Sequence, residues 1–451
     1  MSSSSAETPP AEVAGLAGST PPPGTKPWMA VLRSFIALAV GEGAGRLFGL
    51  FAVILLARRL GADNFGLITI GLAAISWFAI VVDSGTELMT IRDVSRNPTR
   101  FRELADRVVG LRLAVCSAAI VLYMIGVFAL SRSAFDRDVL LRFGLVLPAI
   151  ALNLRWMVLG VRGAKAVAVG NTLARAAILV GVVLFVSGRG DVVRVPYLEA
   201  VGEVVYGVVI IAIVARRFGF VRPKVDLAAW RAMLRGGVPL MISGAARTTV
   251  ITFDVILIGL ALGPGSAGNF GAAARVSAFV AATIGLFSVS FLSAYSASDH
   301  AQAVGLARWA GRLLFPLGLV IALVLSLGST VIVPLLYRHG YSSAEPVLSV
   351  VAWSIPLSAL QMPYATALIA GHRQRVLMRN SVAVAVFMIV ADSIAIPLGG
   401  IVAAAGIRIA SSALGLLLNS RSAVEHGLAP PLSEMLALPR LTRRSAAQVA
   451  D

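Results

Sequence analysis

The chain has 451 residues, 58% hydrophobic and only 14% charged, with 39 Lys and Arg against 22 Asp and Glu for a formal net charge of +17. Soluble domains carry roughly 25% charged residues, so this composition, with a mean hydropathy of +0.86, excludes a soluble enzyme or binding module and places the chain in a bilayer. The basic residues are scattered over several loops without interleaved stacking aromatics, which argues against nucleic acid as a partner.

Residues 1–27 are rich in Ser, Pro, Ala and Gly and read as a disordered cytoplasmic tail, too polar to bury a core. A signal peptide's basic start and apolar core are not found there. Crossing about 30 Å of hydrocarbon takes about 20 apolar residues, and about twelve such windows follow. They lie at 28–57, 67–91, 108–130, 139–160, 166–186, 197–214, 237–262, 268–294, 310–336, 347–370, 376–398 and 401–418. The predicted fold class is therefore an all-α polytopic membrane protein.

In the first window Gly41, Gly45 and Gly49 share one face and allow another helix to approach closely. The string GEGAG inside it is not a dinucleotide loop, because no strand precedes it. Pro334, Pro356, Pro363 and Pro397 are candidate bends in later windows. Between the sixth and seventh windows, residues 216–236 form a basic linker whose Trp230 and Leu234 suit the anionic inner leaflet. A basic tail, 420–451, ends the chain.

The two sets of six windows are related. Leu32-Arg33 matches Leu234-Arg235, Val53-Ile54-Leu55 matches Val255-Ile256-Leu257, and Leu60-Gly61 matches Leu262-Gly263 at one offset. Asn64-Phe65-Gly66 then recurs as Asn269-Phe270-Gly271 after a three-residue insertion. A shared register of this length marks a duplicated unit. Six spans return the chain to its starting side, so the six-helix bundles 28–215 and 237–419 are predicted to be an internal parallel repeat. With both termini cytoplasmic, about 24 Lys and Arg fall on the inner side against about 7 outside, as the positive-inside rule requires. Arg155, Arg162, Arg373 and Arg379 read as topology determinants of this kind.

Cys116, the single cysteine, lies in an apolar window and reads as a small buried residue. His300, His339, His372 and His426 are dispersed, so neither a metal site nor a cofactor is expected.

The strings LLARRLGADNFG, DSGTELMTIRDVSR, LRGGVPLMISG, FDVILIGLALGPGSAGNFGAAARV and PLLYRHGYSSAEPVLSVVAWSIPL, in this order and spacing, resemble the polysaccharide-biosynthesis flippases. These are the O-antigen type within the multidrug/oligosaccharidyl-lipid/polysaccharide exporter superfamily. The resemblance covers about Arg33 to Asn419. It implies a V-shaped pair of bundles, a central cavity lined by spans one, two, seven and eight, and a polyprenyl-diphosphate-linked oligosaccharide as cargo. It also implies a bacterial inner membrane, a non-enzymatic transport role, a monomer, and other polysaccharide-assembly membrane proteins as partners. The lipid II flippases of the superfamily typically have fourteen spans, which makes a peptidoglycan precursor the less expected cargo.

Charge inside a span costs about 2.5–3.5 kcal/mol on insertion scales and marks a functional candidate unless it is paired. Arg46 lies about 12 residues, or about 18 Å, before the outer end of its span. Arg247 falls at a comparable depth in span seven, and Arg275 lies in span eight. On cavity helices these three guanidinium forks would hold a diphosphate bidentately, although Glu42 one turn before Arg46 offers a neutralising pair. Asp254 in span seven, Asp392 in span eleven, the Asp83 and Glu87 pair and Glu42 are candidates for ion coupling or for pairing with a cavity arginine. Glu199 and Glu203 form an acidic pair without an assigned role. Two other functions compete. A multidrug exporter shares the architecture, but three cavity arginines would repel organic cations. A membrane glycosyl polymerase or ligase needs a sizeable external loop, and the longest here, about 336–346, is short.

Overall fold

The computed structural model describes residues 27–96, 101–161, 163–338 and 340–436, and among these every regular element is helical. Inside a bilayer an apolar chain has no water for its N–H and C=O groups, and a helix satisfies them within one segment. The helices are α1 (Pro27–Asp83), α2 (Thr86–Arg96), α3 (Phe101–Leu130), α4 (Ala134–Phe143), α5 (Val146–Ala151), α6 (Arg155–Gly160), α7 (Ala164–Phe185) and α8 (Val195–Phe218) in the first half. The second half has α9 (Leu227–Leu262), α10 (Pro264–Ala297), α11 (His300–Leu327), α12 (Ser329–Tyr337), α13 (Ala344–Val351), α14 (Ser354–Ala370), α15 (Gln374–Glu425) and α16 (Leu432–Leu436).

Gly61, at φ 76° and ψ 170°, divides α1 into two arms, a conformation that glycine adopts without a Cβ clash. Arg59, before the break, donates to the carbonyls of Val182 and Val183 at 3.0 Å, and Asn64, after it, to that of Arg189 at 2.9 Å. Both arms therefore meet at one end of the molecule, and the second runs about 33 Å back to Asp83. Gly400 (φ 65°) divides α15 in the same way, just after Pro397. Among the described residues nine segments are long and apolar enough to cross a membrane. Two of them, Gly43–Asp83 and Gln374–Glu425, are divided helices with two arms each, and α10, 34 residues long, lies outside the nine.

The repeat is visible as a reciprocal contact. A Cβ on Gly66 would stand 1.7 Å from the Pro264 carbonyl oxygen, and one on Gly268 would stand 2.0 Å from that of Ala62. In the fold Ala62 takes the place of Pro264, and Gly66 that of Gly268, so the offset that relates Gly61 to Gly263 continues here without the three-residue insertion that the match of Asn64-Phe65-Gly66 to Asn269-Phe270-Gly271 implies. Each half thus presents the same glycine to the same carbonyl of the other, the signature of a two-fold relation. Gly263 repeats the conformation of Gly61 at φ 94° and ψ 169°. Around this contact one apolar core joins the halves, with Leu56, Phe65, Phe270, Tyr337 and Tyr341 fully buried. Toward the opposite end the cores separate, one around Trp156 and Tyr206 and one around Phe291 and Tyr364.

Several boundaries differ from the expected windows. The second span stops at Asp83, where Ser84 (φ 51°) and Gly85 (φ 72°) turn the chain, because a Cβ on Gly85 would meet the Gly237 carbonyl at 2.2 Å. The fourth span is split into α4, α5 and α6, and the tenth into α13 and α14. Pro334 and Pro363 lie inside continuous helices. The expected linker 216–236 is short, since α8 reaches Phe218 and α9 starts at Leu227. Its backbone is pinned to α3: Lys224 N donates to Asp106 O at 2.9 Å and Arg222 N to Asp106 Oδ1 at 2.7 Å. Asp226 caps α9, and the backbone N–H of Ala229, with Arg107 alongside, holds its carboxylate below the usual range. Past Glu425 the chain folds back, and buried Met435 packs at Gly311 while Arg308 pairs with Glu434 at 2.6 Å. Of the predicted tails 1–27 and 420–451, residues 1–26 and 437–451 lie outside the described residues, as do the side chain of Glu42, Arg162 and His339, while α15 continues to Glu425 within the second tail.

Candidate functional site

Between the separated cores lies a cavity of about 880 Å³, inside the range of about 300–1,000 Å³ typical of small-molecule sites. The wall contributed by the first half is charged, with Asp83, Glu87, Arg112, Arg155, Arg175 and Glu203. Charge at this depth is tolerated because most of it is paired. Arg112, 4% exposed, forms an ion pair with Asp83, donates to Thr86 Oγ1 at 3.0 Å, and lies over the Trp156 ring at 5.7 Å. Arg155 holds Glu87 with two bonds, Nε to Oε1 at 2.9 Å and Nη2 to Oε2 at 2.8 Å. Arg175 lies within electrostatic reach of Glu199 and Glu203. The second half contributes Arg247 to its wall, and the rest of its polar lining is uncharged, including Gln361, Asn380 and Ser411. The side chain of Arg247 is exposed to the cavity and has no hydrogen-bond or ion-pair partner among the described residues.

The structure distributes the sequence-predicted residues over three places. Arg247, Asp83 and Glu87 line the cavity, and Arg155, read from sequence as a topology determinant, lines it with them. Arg46 reaches from α1 to the carbonyl of Ala282 on α10, and Arg275 sits over the Phe65 ring at 5.6 Å with Glu199 and Tyr337 nearby. Neither guanidinium belongs to the cavity lining. Asp254 and Asp392 form a separate buried cluster, both 0% exposed. Asp254 Oδ2 accepts from Arg408 Nε at 3.0 Å and Nη2 at 2.5 Å, and Arg408 also lies over the Phe270 ring at 5.5 Å. Asp392 faces this pair electrostatically, yet neither of its oxygens has a hydrogen-bond partner among the described residues. No group of three His, Cys, Asp or Glu able to hold a metal occurs among the described residues.

Arg112, Arg175 and Arg408 escape the sequence reading, although each is a cation in an apolar run and carries the same signal as Arg46. Their roles depend on acids contributed by other helices, which periodicity does not reveal.

The profile of the family described as "Polysaccharide biosynthesis protein" matches residues 31–295. An Escherichia coli (strain K12) protein named "Putative O-antigen transporter" is 24% identical over 335 residues, covering 72% of this chain and 80% of that protein. Among solved structures, the lipid II flippase MurJ in an inward closed conformation aligns with a TM-score of 0.72 at 14% identity, covering 89% of each chain. An inward-facing multidrug transporter of the MATE family aligns with a TM-score of 0.65 at 16% identity, covering 85% of this chain and 95% of that one. At those identities the likeness shows the fold alone. The profile match spans more than half of the sequence, and the chain belongs to the polysaccharide biosynthesis protein family.

Proposed function

We propose that the chain is a flippase that carries a polyprenyl-diphosphate-linked oligosaccharide from the cytoplasmic to the outer leaflet of a bacterial inner membrane, by alternating access and with both termini cytoplasmic. The observation that carries this reading is an unpaired, cavity-facing Arg247 in a cleft whose other arginines have acidic neighbours. A planar guanidinium offers a diphosphate two parallel N–H donors. It also repels the organic cations that a multidrug exporter of the same fold would carry. The cavity sits at the end where the cores diverge, and the reciprocal glycine contact closes the other end. Exchanging which end is closed would present the head group to the opposite leaflet. Arg46 and Arg275, engaged here with an α10 carbonyl and the Phe65 ring, are proposed ligands for other stages of that cycle.

Removing a hydrogen bond to a charged group costs about 1.5–3 kcal/mol, so Arg247→Ala lowers translocation in proteoliposomes by about 10- to 100-fold. Arg247→Lys restores part of it, because a point charge replaces the fork, and Arg379→Ala leaves the rate unchanged. Normal rates from correctly inserted Arg247→Ala protein would place the diphosphate site elsewhere.

A further inference from the structure

We propose that the cavity wall built by α14 and both arms of α15 is a glycan subsite, with Gln361 and Ser411 as its recognition groups, taking the uncharged, hydroxyl-rich sugar next to the diphosphate. This rests on the flippase reading of the same cavity. The two walls differ in kind: that of the first half is charged, whereas Gln361, Asn380, Ser381, Ser411, Ser412 and Asn419 line the opposite side with amides and hydroxyls. A sugar hydroxyl both donates and accepts, and primary amides and serine hydroxyls do the same.

The hydrogen bonds already made within the wall show which groups are left for a ligand. Asn380 Nδ2 donates to Asn419 Oδ1 at 3.0 Å and to Ser422 Oγ at 3.2 Å, which ties the two arms of α15 together and fixes the wall. Ser381 and Ser412 donate to the carbonyls of Leu377 and Arg408 one turn back at 2.9 and 3.0 Å, leaving their oxygens as acceptors. The Ser411 hydroxyl is different. The residue is 1% exposed, lines the cavity, and its Oγ has no partner among the described residues. Buried hydroxyls without a partner are uncommon in folded proteins and call for an explanation. Gln361 likewise makes no hydrogen bond among the described residues, and Gly415 leaves room for its amide, since a Cβ there would stand 3.0 Å from Gln361 Nε2. A ligand hydroxyl reaching the wall satisfies both.

The test uses two probes on the purified full chain in detergent: a short polyprenyl diphosphate, and the same lipid bearing a neutral disaccharide. The wild type is expected to bind the glycosylated probe about tenfold more tightly, the gain of one or two neutral hydrogen bonds. Gln361→Leu and Ser411→Ala remove that preference while leaving the affinity for the bare diphosphate unaltered, whereas Arg247→Ala weakens both probes by a similar factor. Folding of each variant is checked by gel filtration. If Ser411→Ala does not fold, Gln361→Leu, which removes no hydrogen bond within the described protein, decides the matter. Equal affinity of the wild type for both probes, or variants that weaken both equally, would overturn the subsite and leave the flippase reading standing. Binding of neither probe by the wild type would overturn both.

Discussion

Replacing Arg408 by Met removes the cation that holds Asp254, and the structure fixes how much that should cost. Asp254 is 0% exposed, and the guanidinium approaches its Oδ2 at 2.5 and 3.0 Å. At that separation and an effective dielectric of about 20 the attraction is about 6 kcal/mol. Desolvation of both ions offsets much of this in the intact pair. Breaking the pair from one side leaves a buried carboxylate uncompensated, which costs about 3–5 kcal/mol. Asp392 makes the loss asymmetric. It is also 0% exposed and lies within electrostatic reach of both partners, so Arg408→Met leaves two acids facing one another, whereas Asp254→Asn leaves Arg408 with Asp392 beside it. The expected order is therefore about 3–5 kcal/mol for Arg408→Met and about 1–3 kcal/mol for Asp254→Asn. In the double variant the two costs should fail to add by about 1–3 kcal/mol. Reversible unfolding in mixed micelles, followed by the fluorescence of the six tryptophans, measures all three. Costs that add within about 0.5 kcal/mol, or equal costs for the two single variants, would refute the argument.

Gly66→Ala places a Cβ 1.7 Å from a backbone carbonyl of the other half, so the halves must part at that end. With Cys116 buried, a cysteine introduced at Ser243 should then become reactive to an impermeant thiol reagent from outside, and continued protection would show that the contact is not the outer seal. A diphosphate with about two negative charges gains about 4–5 kcal/mol per 100 mV on leaving a negative cytoplasm, so an imposed potential without an ion gradient should sustain net flipping. Flipping that ignores the potential, stops with the Na⁺ or proton gradient and is lost in Asp254→Asn or Asp392→Asn would assign coupling to that cluster instead. Reporter fusions at Lys224 and Arg375 should report cytoplasm, and those at Asp136 and Ser342 the external side; reversal at any two sites would invert the proposed orientation.

The amino-acid sequence by itself determined the membrane class, the helical spans and the duplication, because each is a local or periodic property. A run of about 20 apolar residues has no stable alternative to a helix in hydrocarbon, and the offset between Leu60-Gly61 and Leu262-Gly263 survives in the chain whatever its packing. The place of Arg247 along its helix is legible for the same reason, since residue number in a helix converts directly into distance along its axis. Partnership was not legible. Arg46, Arg247 and Arg275 look alike in sequence, yet only Arg247 faces the cavity without a partner, while Arg275 lies over Phe65 from the other half. Asp254 reads from sequence as a candidate for ion coupling or for pairing with an arginine, and the arginine that pairs with it, Arg408, stands 154 residues away. The net cost of a charge in a low-dielectric interior depends on what stands within a few ångströms of it. That neighbour comes from another helix, so tertiary packing alone decided which charges close on one another, which wall of the cavity is neutral, and which cavity cation has no partner among the described residues.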